Sequence, residues 1–459
     1  MSLTPSTTTI VTELRDRVRG RVIGPEDSDY DQARIVSLGG IDRHPAAIVR
    51  VASADDAAQV IATARETGLE LAVRSGGHSG AGHSVTEGGI VLDLRDMKDA
   101  DFDLDAGTVW AQTGLTAGEL TTLADEKGVA VGFGDTGSVG IGGITTGGGI
   151  GYLTRKFGMT IDSVLAAEVV TANGQVLHVD SEAHPDLFWA VRGGGGNFGV
   201  VTRFKYRLHP LPSFVGGMLL LPATAETVAG FIGAAEAAPD ELSTIANVMP
   251  TPPMPFVPEE WHGKLAIMGL LGYAGDAEAG QRAIAPFRAL AEPIADMVRP
   301  MSYAEMYPPE DDSYHPLAVA HTLFVDRVDL SVAQTIMEWL NDSDAPMRAA
   351  QLRVLGGAMA RVPADATAFA HRSQRILVNV AAFYEGPDDK PKRQAWVEGL
   401  RDALRGDDHA AYVNFLGDEG EARVHDAYPA GTWERLARIK AQYDPDNLFR
   451  LNQNVAPAG

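Results

Sequence analysis

The order of apolar and polar positions in the first 212 residues is typical of alternating helices and strands. Ser53, with Asp56 three positions later, predicts a capping box, apolar residues at helical spacing follow over 57–64, and Gly68 ends the predicted helix. Residues 69–73 then predict a short strand that leads into a glycine-rich loop. This half of the chain is therefore predicted to mix helices and strands.

The same region contains further local signals. Thr116 and Glu119 predict a second capping box at a helix start. The Asn173-Gly174 pair between two apolar runs predicts a β-hairpin, and residues 200–208 predict another strand.

A different pattern begins after residue 212, where the glycine clusters stop. Apolar strands there alternate with amphipathic helices, which predicts a sheet covered by helices. The predicted strands include residues 218–221, 265–271 and 376–383, and the predicted helices are residues 225–237, 277–290, 332–340 and 393–404. A helix over residues 433–440 and a polar C-terminal segment follow.

Composition and charge exclude several classes of function. Acidic residues outnumber basic ones by 61 to 38, which gives a net charge of −23, and such a surface repels nucleic-acid phosphates and anionic lipid. No apolar run reaches the roughly 20 residues that span a bilayer, and the N-terminal residues lack a signal-peptide pattern. We therefore expect no nucleic-acid partner, no membrane partner and a cytoplasmic location. The absence of cysteine excludes disulfides and thiolate ligands, and no residue spacing predicts a metal site.

Glycine is concentrated in the first 200 residues, in clusters at 76–82, 132–151 and 193–199. Successive backbone N–H groups in such loops can bind an anion, so the clusters predict a large phosphorylated cofactor; tight turns in a loop-rich domain are the alternative. G-x-G-x-x-G matches occur at 132–137 and 194–199. Because neither is predicted to open a helix, a nicotinamide-binding Rossmann unit is not expected.

The motif RSGGHS at residues 74–79 resembles the flavin-attachment loop of the berberine bridge enzyme-like FAD-linked oxidases, within the vanillyl-alcohol-oxidase-type (PCMH-type FAD-binding) superfamily. Residues 137–164 and 184–202 resemble the second and third flavin-binding segments of that group. AYVNF at 411–415 and YDPDNLFRLNQN at 443–454 resemble its C-terminal signature. The resemblance extends over essentially the whole chain, in order.

The resemblance implies an α+β fold. It implies a two-lobed PCMH-type FAD-binding domain at residues 1–212 and an α/β substrate-binding domain at 213–419, with an antiparallel sheet covered by helices. Residues 420–459 are expected to return to the FAD domain.

The cofactor implied is FAD, bound covalently through His78 only. Many relatives carry a second bond from a cysteine to flavin C6, but Thr136 occupies that position here and the chain has no cysteine. The residues predicted to contact the cofactor are Arg74, Ser75, Gly76, Gly77, His78, Ser79, His83, Thr136, Gly137, Val139, Gly140, Gly142, Gly143, Gly151, Gly199, Val200, Val201, Asn414, Asn452 and Asn454.

Two residues are predicted to take part in the chemistry. Tyr412 matches a position where a tyrosine faces the flavin, so it is a candidate base or substrate anchor; ordinary strand packing is the alternative. Ile150 stands where plant relatives often have a tyrosine, which predicts a more apolar pocket. Val139 matches the position that controls oxygen access, and its small side chain favours an oxidase; simple packing between glycines is the alternative.

The predicted activity is transfer of a hydride from an alcohol, sugar-like compound, amine or secondary metabolite to flavin N5, with O2 then reduced to hydrogen peroxide. Alternatives are a flavin-dependent dehydrogenase, a redox-neutral cyclase or lyase, and a non-catalytic flavin-binding protein. Tyr314, His321 and Tyr384 are candidate walls of the substrate pocket. The substrate and the oligomeric state are left open.

Overall fold

The computed structural model describes residues 6–311, 313–406 and 409–459. Its first lobe is a four-stranded sheet of order β1-β2-β4-β3, in which β2, β4 and β3 run parallel and β1 pairs antiparallel with β2. The strands are β1 Arg21–Ile23, β2 Ala47–Arg50, β3 Leu71–Arg74 and β4 Ile90–Asp93, and the helices are α1 Thr7–Arg17, α2 Tyr30–Arg34 and α3 Ala54–Thr67.

The second lobe is a five-stranded antiparallel sheet of order β5-β6-β10-β8-β9, beside a two-stranded pair of β7 with β11. Its strands are β5 Ala100–Asp103, β6 Thr108–Gln112, β7 Val129–Ala130, β8 Val164–Val170, β9 Val176–Asp180, β10 Val200–Arg207 and β11 His209–Pro210. Its helices are α4 Ala117–Asp125, α5 Ile141–Gly147, α6 Thr154–Phe157 and α7 Pro185–Ala190.

An eight-stranded antiparallel sheet follows, of order β15-β12-β14-β13-β18-β19-β17, with β16 also paired to β12. Its strands are β12 Phe214–Pro222, β13 Leu242–Pro250, β14 Leu265–Tyr273, β15 Ala295–Asp296, β16 Arg299–Met301, β17 Ala318–Val325, β18 Arg348–Val354 and β19 Ile376–Phe383. The helices of this part are α8 Ala225–Ala237, α9 Ala277–Arg288, α10 Leu330–Asp342, α11 Ala358–Arg361 and α12 Lys390–Leu404. Helices α13 Glu421–Ala427 and α14 Ala430–Tyr443 follow, and a segment without helix or strand extends from residue 444 to 459.

The architecture is α+β, as the sequence predicts, with the apolar faces of the helices buried on their sheets. Phe231 and Ile232 of α8 and Ile336 of α10 are buried in one core with strands of the large sheet. Predicted helix 225–237 and strand 376–383 are confirmed at the same bounds. Within the described ranges, no helix combines the length and apolar character that crossing a membrane requires.

Two local predictions and one alternative, strand packing at 411–415, need correction. The Ser53 hydroxyl accepts from the Asp56 N–H, but the Asp56 carboxylate does not return the bond and instead accepts from the N–H groups of Arg19, Gly20 and Ala52. The buried Asp56 carboxylate therefore binds backbone N–H groups outside α3 instead of capping the start of that helix. Helix α5 does begin four residues after the first G-x-G-x-x-G match, contrary to expectation. The 411–415 segment is not a strand: it includes a 3-10 turn, Val413–Phe415.

A buried ion pair fixes the C-terminal helix to the second lobe. Lys440 and Asp444 are both fully buried, and Lys440 Nζ lies 2.6 Å from the Asp444 carboxylate. Lys440 Nζ also donates to the carbonyls of Asn197 and Phe449, at 2.7 and 2.9 Å. One ammonium group thus joins α14, the third glycine cluster and the C-terminal segment.

Candidate active site

The cleft lined by the glycine clusters has a volume of about 390 Å³, within the range of about 300–1,000 Å³ usual for ligand sites. Its walls come from the loop after β3, the glycine-rich segment around α5, the third glycine cluster and two C-terminal stretches. The five motif stretches, far apart along the chain, therefore meet in one cavity.

The loop that carries His78 is held from behind by Arg74. The Arg74 side chain is 1% exposed and donates to the carbonyls of Ser84 and Ala33, at 3.0 and 2.6 Å. Burial lowers the pKa of Arg74 to about 10, and the charge of Asp93 partly opposes this. Arg74 does not reach the cleft, so its contribution is to fix the loop rather than to contact a ligand.

Some glycines are required by backbone packing and others leave space for a ligand. A Cβ added at Gly76 would lie 2.2 Å from the Gly140 nitrogen, and one at Gly140 would lie 2.1 Å from the Gly76 nitrogen. These two loops therefore touch through bare backbone. At Gly143 an added Cβ meets nothing within 4 Å, and at Gly196 it meets only the Asn452 side chain, at 3.9 Å or more. Only the second kind of glycine opens the cleft to an occupant.

His78 and His83 both line the cleft. Burial lowers the pKa of His78, although the charge of Glu310 and a hydrogen bond to the Ser138 backbone oppose this. Burial also lowers the pKa of His83, to about 4. Both imidazoles are therefore neutral near pH 7, and a neutral imidazole has a nitrogen lone pair that can form a bond.

Tyr412 is 1% exposed and lines the same cleft. Its hydroxyl oxygen accepts hydrogen bonds from the Gly149 N–H at 2.8 Å and from Asn414 Nδ2 at 3.0 Å. Among the described residues, no acceptor is found for the hydroxyl proton. Burial raises the pKa of Tyr412, and the hydrogen bonds and the charge of Arg353 only partly oppose it. At neutral pH the phenol thus keeps a proton that it can donate to a ligand.

The surroundings of Tyr412 are largely apolar. Ile150 lines the cleft and Phe415 packs edge-on against the Tyr412 ring, at 5.1 Å between centroids. Tyr152 is turned away, with its hydroxyl 3.4 Å from the Asp135 carbonyl oxygen. Arg353 is buried over the ring of Phe415, and its guanidinium lies 2.8 Å from the Asp135 carboxylate.

The C-terminal amides serve different purposes. Asn414 Nδ2 donates to the Ile144 carbonyl as well as to Tyr412. Asn452 lines the cleft and donates to the Phe449 carbonyl, while its buried Oδ1 has no partner in the described structure. Gln453, which the sequence analysis did not single out, donates to the carbonyls of Leu416 and Gly417 and closes the C-terminal segment over the cleft.

Most predicted contact residues meet at the cleft. Those that line it are Ser75, Gly76, Gly77, His78, Ser79, His83, Thr136, Val139, Gly140, Gly142, Gly143, Gly199, Val201, Tyr412, Asn414 and Asn452. Those that do not are Arg74, Gly137, Gly151, Val200 and Asn454. Gly151 packs on the backbone of the second lobe, because an added Cβ would lie 2.1 Å from the Phe133 carbonyl oxygen, and Val200 is buried in the core of the first lobe.

The candidate pocket walls from the later part of the chain lie elsewhere. Tyr314 is 63% exposed, His321 is buried 3.0 Å from the Glu419 carboxylate, and Tyr384 packs in the core of the large sheet. Other residues that line the cleft were not predicted from the sequence: Leu71, Val73, Ser84, Leu94, Gly134, Asp135, Ile144, Thr146, Gly195, Gly196, Val413, Phe415, Leu416, Phe449, Leu451 and Gln453. Many of these are apolar residues next to a recognised motif, and no spacing separates them from core residues.

The cleft suits a long, partly polar cofactor such as FAD. Buried oxygens without partners face it at Ser84 and Asn452, and the open glycine positions give room beside the backbone. No cluster of three or more potential metal ligands occurs in the part of the chain that the structure describes. The residues present therefore fit a flavin rather than a metal centre.

Comparison with known proteins agrees with this arrangement. A family model for the FAD binding domain matches residues 45–180, and a model described as berberine and berberine like matches residues 411–456. (R)-6-hydroxynicotine oxidase of Paenarthrobacter nicotinovorans is 30% identical, over 96% of this chain and 98% of that protein. Xylooligosaccharide oxidase of Thermothelomyces thermophilus is 28% identical, over 90% of this chain and 88% of that protein.

The fold is shared as well. The crystal structure of 6-hydroxy-D-nicotine oxidase from Arthrobacter nicotinovorans matches with a TM-score of 0.85 at 28% identity, over 96% of this chain and 98% of that one. Fold and cleft together define an FAD-binding oxidoreductase. The chain belongs to the berberine bridge enzyme-like family of FAD-linked oxidoreductases, as the sequence motifs predict.

Proposed function

We propose that this chain is an oxidase that carries FAD covalently on His78 and oxidises a small organic alcohol or amine, with O2 as the electron acceptor. The observation that carries the proposal is that His78 and Tyr412, 334 residues apart in the sequence, line a single cleft. Bound FAD would supply a hydride acceptor, and the chain's own residues would bind, orient and deprotonate the substrate.

A single covalent bond is proposed, through His78 alone. The neutral imidazole on the cleft wall is a competent nucleophile, and the open glycine positions of the cleft, Gly143 and Gly196, leave room for a flavin. Thr136 lines the cleft where a cysteine would be needed for a second bond. A chain without cysteine has no group to form it.

Tyr412 is proposed as the residue that contacts the reacting hydroxyl or amine. Its unused proton would orient the substrate heteroatom. In the tyrosinate form it would act as base, and the Gly149 and Asn414 donors would stabilise that anion. The raised pKa makes the tyrosinate the minor form at neutral pH, so the pH dependence of the rate distinguishes the two roles.

The proposed substrate has an apolar ring or chain next to its hydroxyl or amine. Ile150, Val413 and Phe415 give the cleft around Tyr412 an apolar lining that cannot hydrogen-bond a polyhydroxylated sugar. Such a lining favours an alkaloid-like compound over an oligosaccharide. The two relatives named above suit a comparison, since one is a hydroxynicotine oxidase and the other a xylooligosaccharide oxidase.

The domain division of 1–212, 213–419 and 420–459 is part of this proposal. What supports it is that the strands of the large sheet lie between Phe214 and Phe383, and that Lys440 binds the third glycine cluster from the C-terminal helix. The cytoplasmic location and the individual FAD contacts remain predictions.

The function is tested by anaerobic mixing of the purified protein with (R)-6-hydroxynicotine and, separately, xylobiose, followed by admission of air. We expect the first compound to bleach the flavin absorbance faster, and air to restore it with release of hydrogen peroxide. Bleaching that only an artificial acceptor reverses would indicate a dehydrogenase. A flavin that neither compound bleaches, in a wider panel of alcohols and amines as well, would favour a binding protein.

Val139 offers a test of oxygen use that needs no substrate. Val139 lines the cleft beside Gly140, so a larger side chain there would occupy space that O2 has to reach. We expect Val139→Leu to slow reoxidation of the dithionite-reduced enzyme in stopped-flow mixing with O2. Val201→Leu, also on the cleft wall, is the control for general crowding. Equal reoxidation rates in the wild type and both variants would contradict the assigned role of Val139.

A further inference from the structure

His78 takes part in a hydrogen-bonded chain that reaches a distant carboxylate. Ser138 Oγ lies 3.0 Å from His78 Nε2 and 2.5 Å from Glu310 Oε2. The Ser138 backbone N–H also donates to Glu310 Oε1, at 3.1 Å. Glu310 is 172 residues away from Ser138 in the chain and lies between β16 and β17 of the large sheet.

The direction of each hydrogen bond follows from the donors available. An ionised carboxylate can only accept, and a serine hydroxyl has a single proton to give. Glu310 accepts that proton from Ser138 as well as the backbone N–H. Ser138 Oγ therefore has only lone pairs to offer His78, so His78 Nε2 must be the protonated nitrogen.

The other nitrogen of the ring is then the reactive one. With the proton on Nε2, the lone pair of neutral His78 is on Nδ1. No hydrogen bond to Nδ1 is found within residues 6–311, 313–406 and 409–459, and the His78 side chain lines the cleft. The lowered pKa of His78, caused by burial, is consistent with a ring that keeps this lone pair at neutral pH.

We propose that Ser138 and Glu310 are positioning residues for flavin attachment: they hold His78 as the Nε2–H tautomer and leave Nδ1 as the nitrogen that bonds to C8α of FAD. This inference rests on the proposed covalent linkage. Glu310 also faces the ring when alkylation makes it cationic, and stabilises that charge through Ser138.

The attachment step balances with O2 as the oxidant. One N–C bond forms between Nδ1 and C8α, and one C–H bond of the 8α-methyl group breaks, with its proton released to solvent. The two electrons left behind reduce the flavin ring. O2 then takes two electrons and two protons to give one hydrogen peroxide, and the oxidised flavin remains joined to His78.

The test compares the wild type with Ser138→Ala and Glu310→Gln, each purified as the full chain. The covalent fraction is measured by acid precipitation and by mass analysis of the His78 peptide, and its increase is followed after addition of FAD in air. We expect attachment to be roughly 10- to 100-fold slower in Ser138→Ala, the range expected for losing a hydrogen bond within a charged network. Glu310→Gln should be slowed in the same direction.

Two control variants separate positioning from misfolding. Ser138→Thr keeps the hydroxyl and should restore attachment. Asp311→Asn removes one negative charge next to Glu310, but among the described residues the hydrogen bonds of the Asp311 carboxylate go to Ser313, so this variant should behave like the wild type. Wild-type attachment rates in both Ser138→Ala and Glu310→Gln would overturn the proposal.

Nitrogen-15 NMR of histidine-labelled protein tests the tautomer independently of activity. We expect the His78 signal, assigned by its loss in His78→Gln, to show either Nδ1 alkylation or, in flavin-free molecules, an Nε2–H tautomer. Bonding of the flavin through Nε2, or an Nδ1–H tautomer, would overturn the inference. If FAD dissociates from the wild type on denaturation, the covalent linkage itself fails, while the tautomer measurement still decides the roles of Ser138 and Glu310.

Discussion

Replacing Tyr412 with phenylalanine is expected to slow reduction of the flavin by substrate by about 10²- to 10⁴-fold, the usual contribution of a positioned acid or base. The variant loses the only cleft-facing hydroxyl that the Gly149 N–H and Asn414 hold in place, and keeps the ring that packs on Phe415. The measurement is anaerobic stopped-flow absorbance, with the compound that reduces the wild type fastest.

The pH profile shows which role Tyr412 has. Burial raises its pKa above the usual value of 10. If the tyrosinate is the base, the rate rises tenfold per pH unit with no plateau below pH 10, and the phenylalanine variant is flat. If the phenol only anchors the substrate, the wild-type profile is flat and falls above that pH. Tyr152→Phe, which alters a buried tyrosine outside the cleft, is the control. A wild-type rate in Tyr412→Phe would remove Tyr412 from the chemistry.

The second large effect concerns the stability of the C-terminal closure. Lys440→Met is expected to lower the free energy of unfolding by about 3–5 kcal/mol, because it leaves the fully buried carboxylate of Asp444 without its partner. Urea unfolding of the flavin-containing protein, followed by circular dichroism, measures this change. The 193–199 loop should also be held less firmly around the cofactor in this variant, because Lys440 donates a hydrogen bond to the Asn197 carbonyl.

Arg282→Met is the matched control for Lys440→Met. It removes an ion pair at the same four-residue spacing, with Glu278, but both side chains are largely exposed. Such a pair contributes about 0–1 kcal/mol. A loss in Lys440→Met no greater than in this control would show that the buried pair does not hold the C-terminal helix.

Local structure could be predicted where a few neighbouring residues decide it. The Thr116–Glu119 capping box and the hairpin at Asn173-Gly174 are both present, because each depends on side chains within four positions. Strand β18 was missed because it carries Gln351 and Arg353, which a period-two pattern does not assign to a buried strand. Those polar groups are satisfied across the fold, by Asn247 and Asp135.

The sequence was sufficient to predict that the glycine-rich loop with His78 forms a wall of the cleft. The predicted contact role of Arg74 was not supported, because the Arg74 side chain points toward the Ala33 and Ser84 carbonyls and away from the cleft. The position of those carbonyls cannot be inferred from the motif that contains Arg74. The Ser138–Glu310 contact was out of reach for a different reason. It joins two parts of the chain that only the complete fold brings together.

The covalent bond between His78 and FAD underlies the roles proposed for the residues of the cleft, and denaturation of the protein in acid tests for it. The purified protein is denatured in acid, and the absorbance spectrum of the pellet and the mass of the proteolytic peptide that contains His78 are recorded. We expect a yellow pellet and a peptide heavier by one FAD, less two hydrogens. A colourless pellet with free FAD in the supernatant and an unmodified His78 peptide would contradict it.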